Sequence, residues 1–474
     1  MNLNEKEIII PRNKEANQTF EYFSNKISDQ LKQDKIPVRF VITRTDRDNY
    51  YCELGVLSDF GKYKIPPENH IFNFKKRDFE NVNQFNAVLL IPTGIGADIG
   101  GHSGDGGALA RLIASACDNL ITHPNVVNAA DINELTENTL YVEGSVITRL
   151  MMGAIGLQKV RSNRIMLVID DNPDAFFHEA AINSASAARA AMGLDLPLVV
   201  KMDDKVLMRS LYSSSGRAIG RIEYLEYLYD ILKEYGSQYD AVALSSDIKV
   251  PENFHLDYFR DENSDMVNPW GGVEAMLTHA ISLMFDVPSA HSPMASSREI
   301  LNLNVGVVDP RKSAEAISTT YLHCILKGLH KSPQIINSAN LSDRPGLLTV
   351  SDISCLIIPD GCIGLPTFAA LDQGIPVIAV RENKNRMKND LKELPFEYGK
   401  LFIVDNYLEA IGIMNALKSG VAPEAVRRPL SSTQVKEYKK QKHSQHLKSK
   451  TDDHIKLESD LILNKRRDVI KAYQ

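Results

Sequence analysis

No stretch of this 474-residue chain reaches the ~20 consecutive apolar residues that a membrane-spanning helix needs. The opening MNLNEKEIII also lacks the basic-then-apolar layout of a secretory signal. Cysteine is scarce: Cys52, Cys117, Cys324, Cys355 and Cys362 are scattered, with no C-x-x-C pair. A disulfide framework or a thiolate metal cluster has nothing to build on, and small buried hydrophobes in a reducing cytoplasm are expected instead. A basic surplus is lacking too. The net charge is −6, so neither nucleic acid nor a membrane is expected as a partner. What remains is the composition of a soluble globular protein, 43% hydrophobic and 24% charged, long enough for two or three domains of about 100–200 residues.

Glycine is concentrated rather than scarce. Residues 89–128 read LLIPTGIGADIGGHSGDGGALARLIASACDNLITHPNVVN, with seven glycines between Gly94 and Gly107. Glycine loses the most backbone entropy on folding, so such density needs a cause, and approach of bare N–H groups to an anion is the usual one. Thr93, Gly94, Gly96, Gly100, Gly101 and Gly104 form the expected cradle. Asp98 would face sugar hydroxyls, an ammonium or a metal. His102, Asp105 and His123 are candidate acid/base groups, with Asn125 and Asn128 beside them. The spacing G-x-G-x-x-x-G is one residue longer than the dinucleotide fingerprint, and no Gly-Lys-Ser/Thr follows. A nicotinamide, flavin or Walker site is therefore not expected. The bland alternative is an irregular glycine-rich surface loop.

Residues 1–80 read as a small α+β module, with a helix at 17–32 and strands at 37–43 and 50–57. Further strands are expected at 87–91, 140–142, 164–169, 198–201, 241–244, 305–308, 355–358, 376–380 and 401–404. Helices are expected between them at 108–117, 179–192, 222–235, 273–284, 314–329, 368–373 and 407–417. This alternation predicts an α/β fold with parallel sheets and ligands at the carboxyl ends of the strands. The expected layout is two Rossmann-like, nucleotide-binding-like lobes over 81–335 and 336–430, in a GT-B-like arrangement. An echo between LLIPTGIGADIG at 89–100 and LIIPDGCIGLPT at 356–367 fits two such halves. The tail at 431–474 carries eleven Lys/Arg against six Asp/Glu and reads as a basic helical tail, either simply solvated or an arm for homo-oligomer assembly.

Other clusters carry chemistry. Glu143 ends a strand in YVEG, where a site carboxylate and a salt bridge are equally plausible readings. Ser214, Gly216 and Arg217 stand before an expected helix, where hydroxyls and an arginine suit an anion. NPWGGVEAMLTHA at 268–280 contains the only tryptophan; Gly271 and Gly272 permit close approach, and Glu274 is an acid/base candidate. His279 lies five residues on, off the same face. His291, read as a loop residue in SAHSP, is placed to reach the same cleft. Asp360, Gly364, Arg381, Glu382 and Asn383 belong to a glycine turn, helix and strand unit at 359–385. Over about 25 residues this unit resembles the nucleotide-contacting segment of sugar epimerases and GT-B glycosyltransferases, although Asp360-Gly361-Cys362 replaces a Ser/Gly-rich turn.

PTGIGA at 92–97, GGHSGD at 100–105, THPNVVN at 122–128, YVEG at 141–144, GGVEA at 271–275 and VIAVRENKN at 377–385 together resemble a bacterial family catalogued as domain of unknown function 3326. The resemblance covers roughly residues 85–430 and implies no reaction and no cofactor. The residues themselves point to an enzyme, of unresolved transferase, isomerase or hydrolase class. It would act on a small anionic metabolite such as a nucleotide, a nucleotide sugar or a phosphorylated or carboxylated compound. A ligand sensor on the same fold is the alternative. A metal-dependent hydrolase or lyase using His102, Asp105 and His123 is a third, although no diagnostic metal spacing exists.

Overall fold

The computed structural model describes residues 1–12, 19–31, 34–132, 134–251, 253–260, 266–337 and 344–438. Met1–Val421 forms one compact unit, and Ala422–Gln474 is a second. Of the second unit the described part includes a short 3-10 turn at Pro423–Val426; the arm expected at 431–474 lies outside the described residues beyond position 438.

The fold is mixed α/β with several sheets. One sheet is all-parallel and six-stranded, in the order Leu401–Val404, Val377–Val380, Ile353–Pro359, Asn86–Leu89, Asn119–Thr122 and Thr139–Tyr141. Its strands are short apolar runs, and all seven residues of Ile353–Pro359 are buried, as expected of a sheet covered on both faces. The two halves of the sequence echo lie side by side here, with Leu356 opposite Val88 and Ile357 opposite Leu89. They are neighbouring strands of one sheet rather than facing lobes.

The second sheet has ten strands and is mixed. Antiparallel strands Asn2–Pro11, Ile36–Thr45, Asn49–Ser58, Leu207–Tyr212 and Ala218–Glu223 continue into parallel Ala241–Lys249, Ile165–Ile169, Leu198–Lys201 and Ser289–Met294. The strand Ile363–Gly364 pairs with Ile36–Thr45 at one edge. Pairing therefore crosses the boundaries expected near 80 and 335.

Local differences from expectation have identifiable causes. Residues 305–308 form no strand. The helix expected at 314–329 is two, Ser313–Ile317 and Leu322–His330. Between them Tyr321 takes a left-handed φ of 53° and its N–H bonds the Ser318 hydroxyl, which closes the break. Ile222 belongs to a strand, so the helix after it starts at Leu225. Ser213–Arg217 is the hairpin turn between Leu207–Tyr212 and Ala218–Glu223, not a helix start.

The hairpin turn carries a buried charge cluster. Arg217 is 0% exposed and pairs through Nη2 with Glu5 at 2.5 Å and through Nε with Glu53 at 2.7 Å. The three residues tie the first, third and eleventh strands of the chain together. Two carboxylates already neutralise this guanidinium, so it is no free anion holder. Removing it leaves two buried carboxylates unpaired, and Arg217→Ala is expected to cost about 3–5 kcal/mol of stability. Denaturant unfolding of the variant against the parent checks this.

Candidate functional site

The glycine segment is a packing device. A Cβ on Gly101 would come 2.0 Å from the Ala97 carbonyl oxygen, and one on Gly104 would come 2.5 Å from the Ala129 Cβ. Gly94, Gly96 and Gly100 are pressed in the same way against Ala218, Val267 and Ile91. Several of the loop amides are occupied by the chain itself. Gly100 and His102 N–H donate to Asp105 Oδ1 at 3.0 and 3.3 Å, and Ser103 N–H donates to Glu315 Oε1 at 2.7 Å. Ile99 N–H donates to Asn383 Oδ1 at 2.9 Å, while Asn125 Nδ2 holds the Gly100 carbonyl at 2.7 Å. The acceptors these amides meet are the chain's own Asp105, Glu315 and Asn383 side chains rather than a ligand, which corrects that part of the expected cradle. Asp98 is exposed, with its N–H on the Lys384 carbonyl. His102 is buried with Nδ1 2.8 Å from the Tyr258 hydroxyl.

A contrast within the segment tests this reading. Gly101→Ala should lower stability by about 2 kcal/mol or more through overpacking. Gly107→Ala meets nothing within 4 Å at the first helical position and should leave melting unchanged or slightly raised. Thermal melts of both variants separate the two outcomes.

The cavity lies at the carboxyl edge of the parallel sheet. Thr93, His123 and Glu143 follow three neighbouring strands, Asn86–Leu89, Asn119–Thr122 and Thr139–Tyr141. The helix Gly271–Phe285 packs across from them and also against strands of the mixed sheet. It brings Glu274, Thr278 and His279 to the same chamber, and the strand Ser289–Met294 brings His291. Asn125, Asn128 and Gly271 complete this polar chamber of about 90 Å³. It adjoins an apolar chamber of about 110 Å³, with which it shares Thr93, His123 and His279. On its other side lies a chamber of about 130 Å³ that shares Asn128, Asn268, Glu274 and His291. Each is of the order of the ~150 Å³ cavity that holds one benzene ring.

Two carboxylate–imidazole pairs meet in the polar chamber. Glu143 caps the helix Gly144–Met151, accepting Ser145 N–H at 2.9 Å, the Ser145 hydroxyl and Val146 N–H. Its other oxygen lies 2.5 Å from His279 Nδ1. Burial raises the Glu143 pKa, but His279 and the Ser145 bonds outweigh it and hold the carboxyl below its usual range. In the second pair Glu274 Oε1 is 3.0 Å from His291 Nδ1, and His291 Nε2 is 2.8 Å from the Ser246 hydroxyl. Glu274 is the accessible member, its side chain 24% exposed against 1% for His291. His123 Nε2 accepts the Ile91 N–H at 3.2 Å, which leaves Nδ1 as the protonated nitrogen. Burial pushes its pKa down to about 4, so the ring is neutral at neutral pH.

Several residues here carry no motif. Arg39, from the strand Ile36–Thr45, donates to the Gly272 and Thr93 carbonyls at 3.2 and 3.0 Å and lines the apolar chamber. Burial and the nearby Arg217 lower its pKa to about 10. Its one legible signal is a lone charge within the apolar run PVRFVIT. Glu315 accepts from Ser103 N–H, Asn268 Nδ2 and the Tyr258 hydroxyl, all on Oε1. Burial raises its pKa to about 8. The folded state therefore holds this proton more tightly than the unfolded chain, whose value is 4.5. The associated stability is fully present below that value and is lost as pH rises toward 8. Glu315→Gln should flatten this loss and melt about 2 °C or more above the parent at pH 8, with a smaller gain at pH 5.

The remaining expected site residues lie elsewhere. Ser214 is exposed and bonded to Glu7, and Gly216 is in the same hairpin turn. Gly272 allows close packing, since a Cβ there would lie 2.1 Å from the Ala218 carbonyl oxygen. Asp360 bonds the Gly361 N–H, Arg381 pairs with Asp405 on the surface, and Glu382 is exposed. Asn383 clamps the glycine loop through Ile99 and Tyr407. Of the five site residues expected in that unit only Gly364 reaches a chamber wall. His291, expected in a loop, is a strand residue. All five cysteines are buried free thiols. Among the described residues no group of three or more His, Cys, Asp or Glu is arranged to hold a metal ion. His102, Asp105 and His123 instead serve Tyr258, the loop amides and Ile91. No helix among the described residues is long and apolar enough to cross a membrane.

No solved structure matches this chain. An uncharacterized lipoprotein of Synechococcus sp. is 35% identical over 348 residues, covering 72% of this chain and 92% of that protein. The family model described as "Protein of unknown function (DUF3326)" matches residues 86–427, a span that holds the parallel sheet, the helix Gly271–Phe285 and both carboxylate–imidazole pairs. The chain belongs to that DUF3326 family.

Proposed function

We propose that this protein is an enzyme that moves protons on a small anionic metabolite, in the manner of an isomerase or lyase. The observation that carries the reading is the convergence of Glu143–His279 and Glu274–His291 on one small chamber. His279 is held through Nδ1, so its Nε2 is the nitrogen that takes a proton from substrate, and Glu143 stabilises the resulting imidazolium. Glu274, about one turn earlier on the same helix and braced by His291, returns a proton from a second position. Neutral His123 offers its Nδ1–H to a developing oxyanion without competing as a base. Arg39 supplies positive charge beside the chamber.

A nucleotide is disfavoured as substrate. Four of the loop amides, those of Ile99, Gly100, His102 and Ser103, already donate to Asn383, Asp105 and Glu315. Chambers of about 90–130 Å³ suit groups of one ring or a short chain.

The test is exchange of carbon-bound protons for solvent deuterium, followed by NMR across a panel of small carboxylates and phosphate esters. The parent protein should exchange or convert at least one compound that it binds. His279→Gln should slow that rate about 10²–10⁴-fold with binding retained. If every bound compound stays unexchanged and unconverted, the enzyme reading falls and a ligand sensor takes its place.

A further inference from the structure

The apolar chamber next to the two pairs has one cationic feature that nothing neutralises directly. Arg39 has five N–H donors. Its bonds go only to the carbonyls of Gly272 and Thr93, and among the described residues no carboxylate lies within ion-pair distance of it. It is surrounded by protein yet keeps accessible surface, and that surface is chamber wall. Arg217, on the same wall, is by contrast neutralised by ion pairs with Glu5 and Glu53. A guanidinium surrounded by protein costs free energy unless it is paired, so one that lines a cavity with no carboxylate partner suits an anion from outside.

Around Arg39 the chamber is apolar. Val38, Phe40, Ile71, Ile95, Leu365 and Met387 form its wall. Gly55 stands opposite Arg39 in the strand register and leaves room for the arginine stem, since a Cβ there would lie 3.0 Å from the Arg39 Cβ. The polar chamber opens from the same space at Thr93, His123 and His279.

We infer that the ligand is an amphipathic carboxylate: its charged group pairs with the free donors of Arg39, and a short aliphatic or single-ring body fills the chamber lined by Phe40, Ile71 and Leu365. This deepens the enzyme reading, because it places the carbon next to the carboxylate at the mouth of the His279 chamber. The carboxylate takes two parallel N–H bonds from the guanidinium, an arrangement that lysine cannot reproduce. The apolar body contributes affinity in proportion to the surface it removes from water.

Ligand-observed NMR titration with acetate, butyrate, hexanoate and hexan-1-ol tests the inference on the intact protein without a need for turnover. Affinity should rise about threefold or more per methylene from acetate to hexanoate. Hexan-1-ol should bind at least tenfold more weakly than hexanoate. Arg39→Met should lose at least tenfold in hexanoate affinity, and Arg39→Lys should recover only part of it. If Arg39→Met fails to fold, the chain-length series and the alcohol comparison on the parent protein still decide. Equal binding of acetate and hexanoate, equal binding of the acid and the alcohol, or an unchanged affinity in a folded Arg39→Met variant would each overturn the inference. Hexanoate binding without exchange on any compound would instead sink the enzyme reading and leave this site standing.

Discussion

The site depends on how closely the helix Gly271–Phe285 approaches the mixed sheet. At Gly272 the helix backbone meets the Ala218 carbonyl, and at Gly220 the strand backbone meets Val273, with no room for a Cβ at either glycine. That approach turns Glu274, Thr278 and His279 toward the ends of the parallel strands and sets the Gly272 carbonyl where Arg39 can bond it. Helix, parallel sheet and mixed sheet are thereby locked at one point. A helix held a side chain's width further out would separate His279 from Glu143 and open the chamber to water.

Burial of charge is the second theme. The structure removes Arg217, Glu5, Glu53, Glu143, Lys312 and Glu315 from solvent, and each is held by a specific answer. Arg217 and the two glutamates neutralise one another, and Glu143 uses a helix N-terminus and an imidazole. Lys312 donates to the Tyr258 carbonyl. Glu315 retains its proton instead. Arg39, half-buried, has its charge met by two carbonyls and a cavity.

Much of the fold was legible in periodicity. The strands Leu198–Lys201 and Leu401–Val404 and the helix Tyr407–Lys418 lie where apolar patterning put them, because each is decided by local composition. The antiparallel strands Leu207–Tyr212 and Ala218–Glu223 were not legible. Their main pairing is with each other across the turn Ser213–Arg217, and the short pairings with Asn2–Pro11 and Ala241–Lys249 that join this hairpin to the sheet are contacts no local pattern shows. His123 was singled out from the THPN turn, Glu143 from a strand end, Glu274 from the glycine-flanked helix and His291 from an expected loop, and the four share a chamber. Their pairings were hidden. Glu143 and His279 are 136 positions apart, as the residue numbers show.

The sequence by itself determined the α/β class, the family and the place of the glycine-rich turn after a parallel strand, since all of these rest on local pattern. Only the tertiary structure decided what the glycines are for. Density of glycine records that backbone comes close to something, and a chain cannot say whether that neighbour is a ligand or itself. Here it is the chain itself: Ala97, Ala129, Val126 and Ala218 fill the space, and Asp105 and Glu315 take the amides. The candidate polar groups lie instead where distant strands and one close-packed helix converge, because only long-range packing can bring two carboxylate–imidazole pairs and a guanidinium without a carboxylate partner to adjoining chambers.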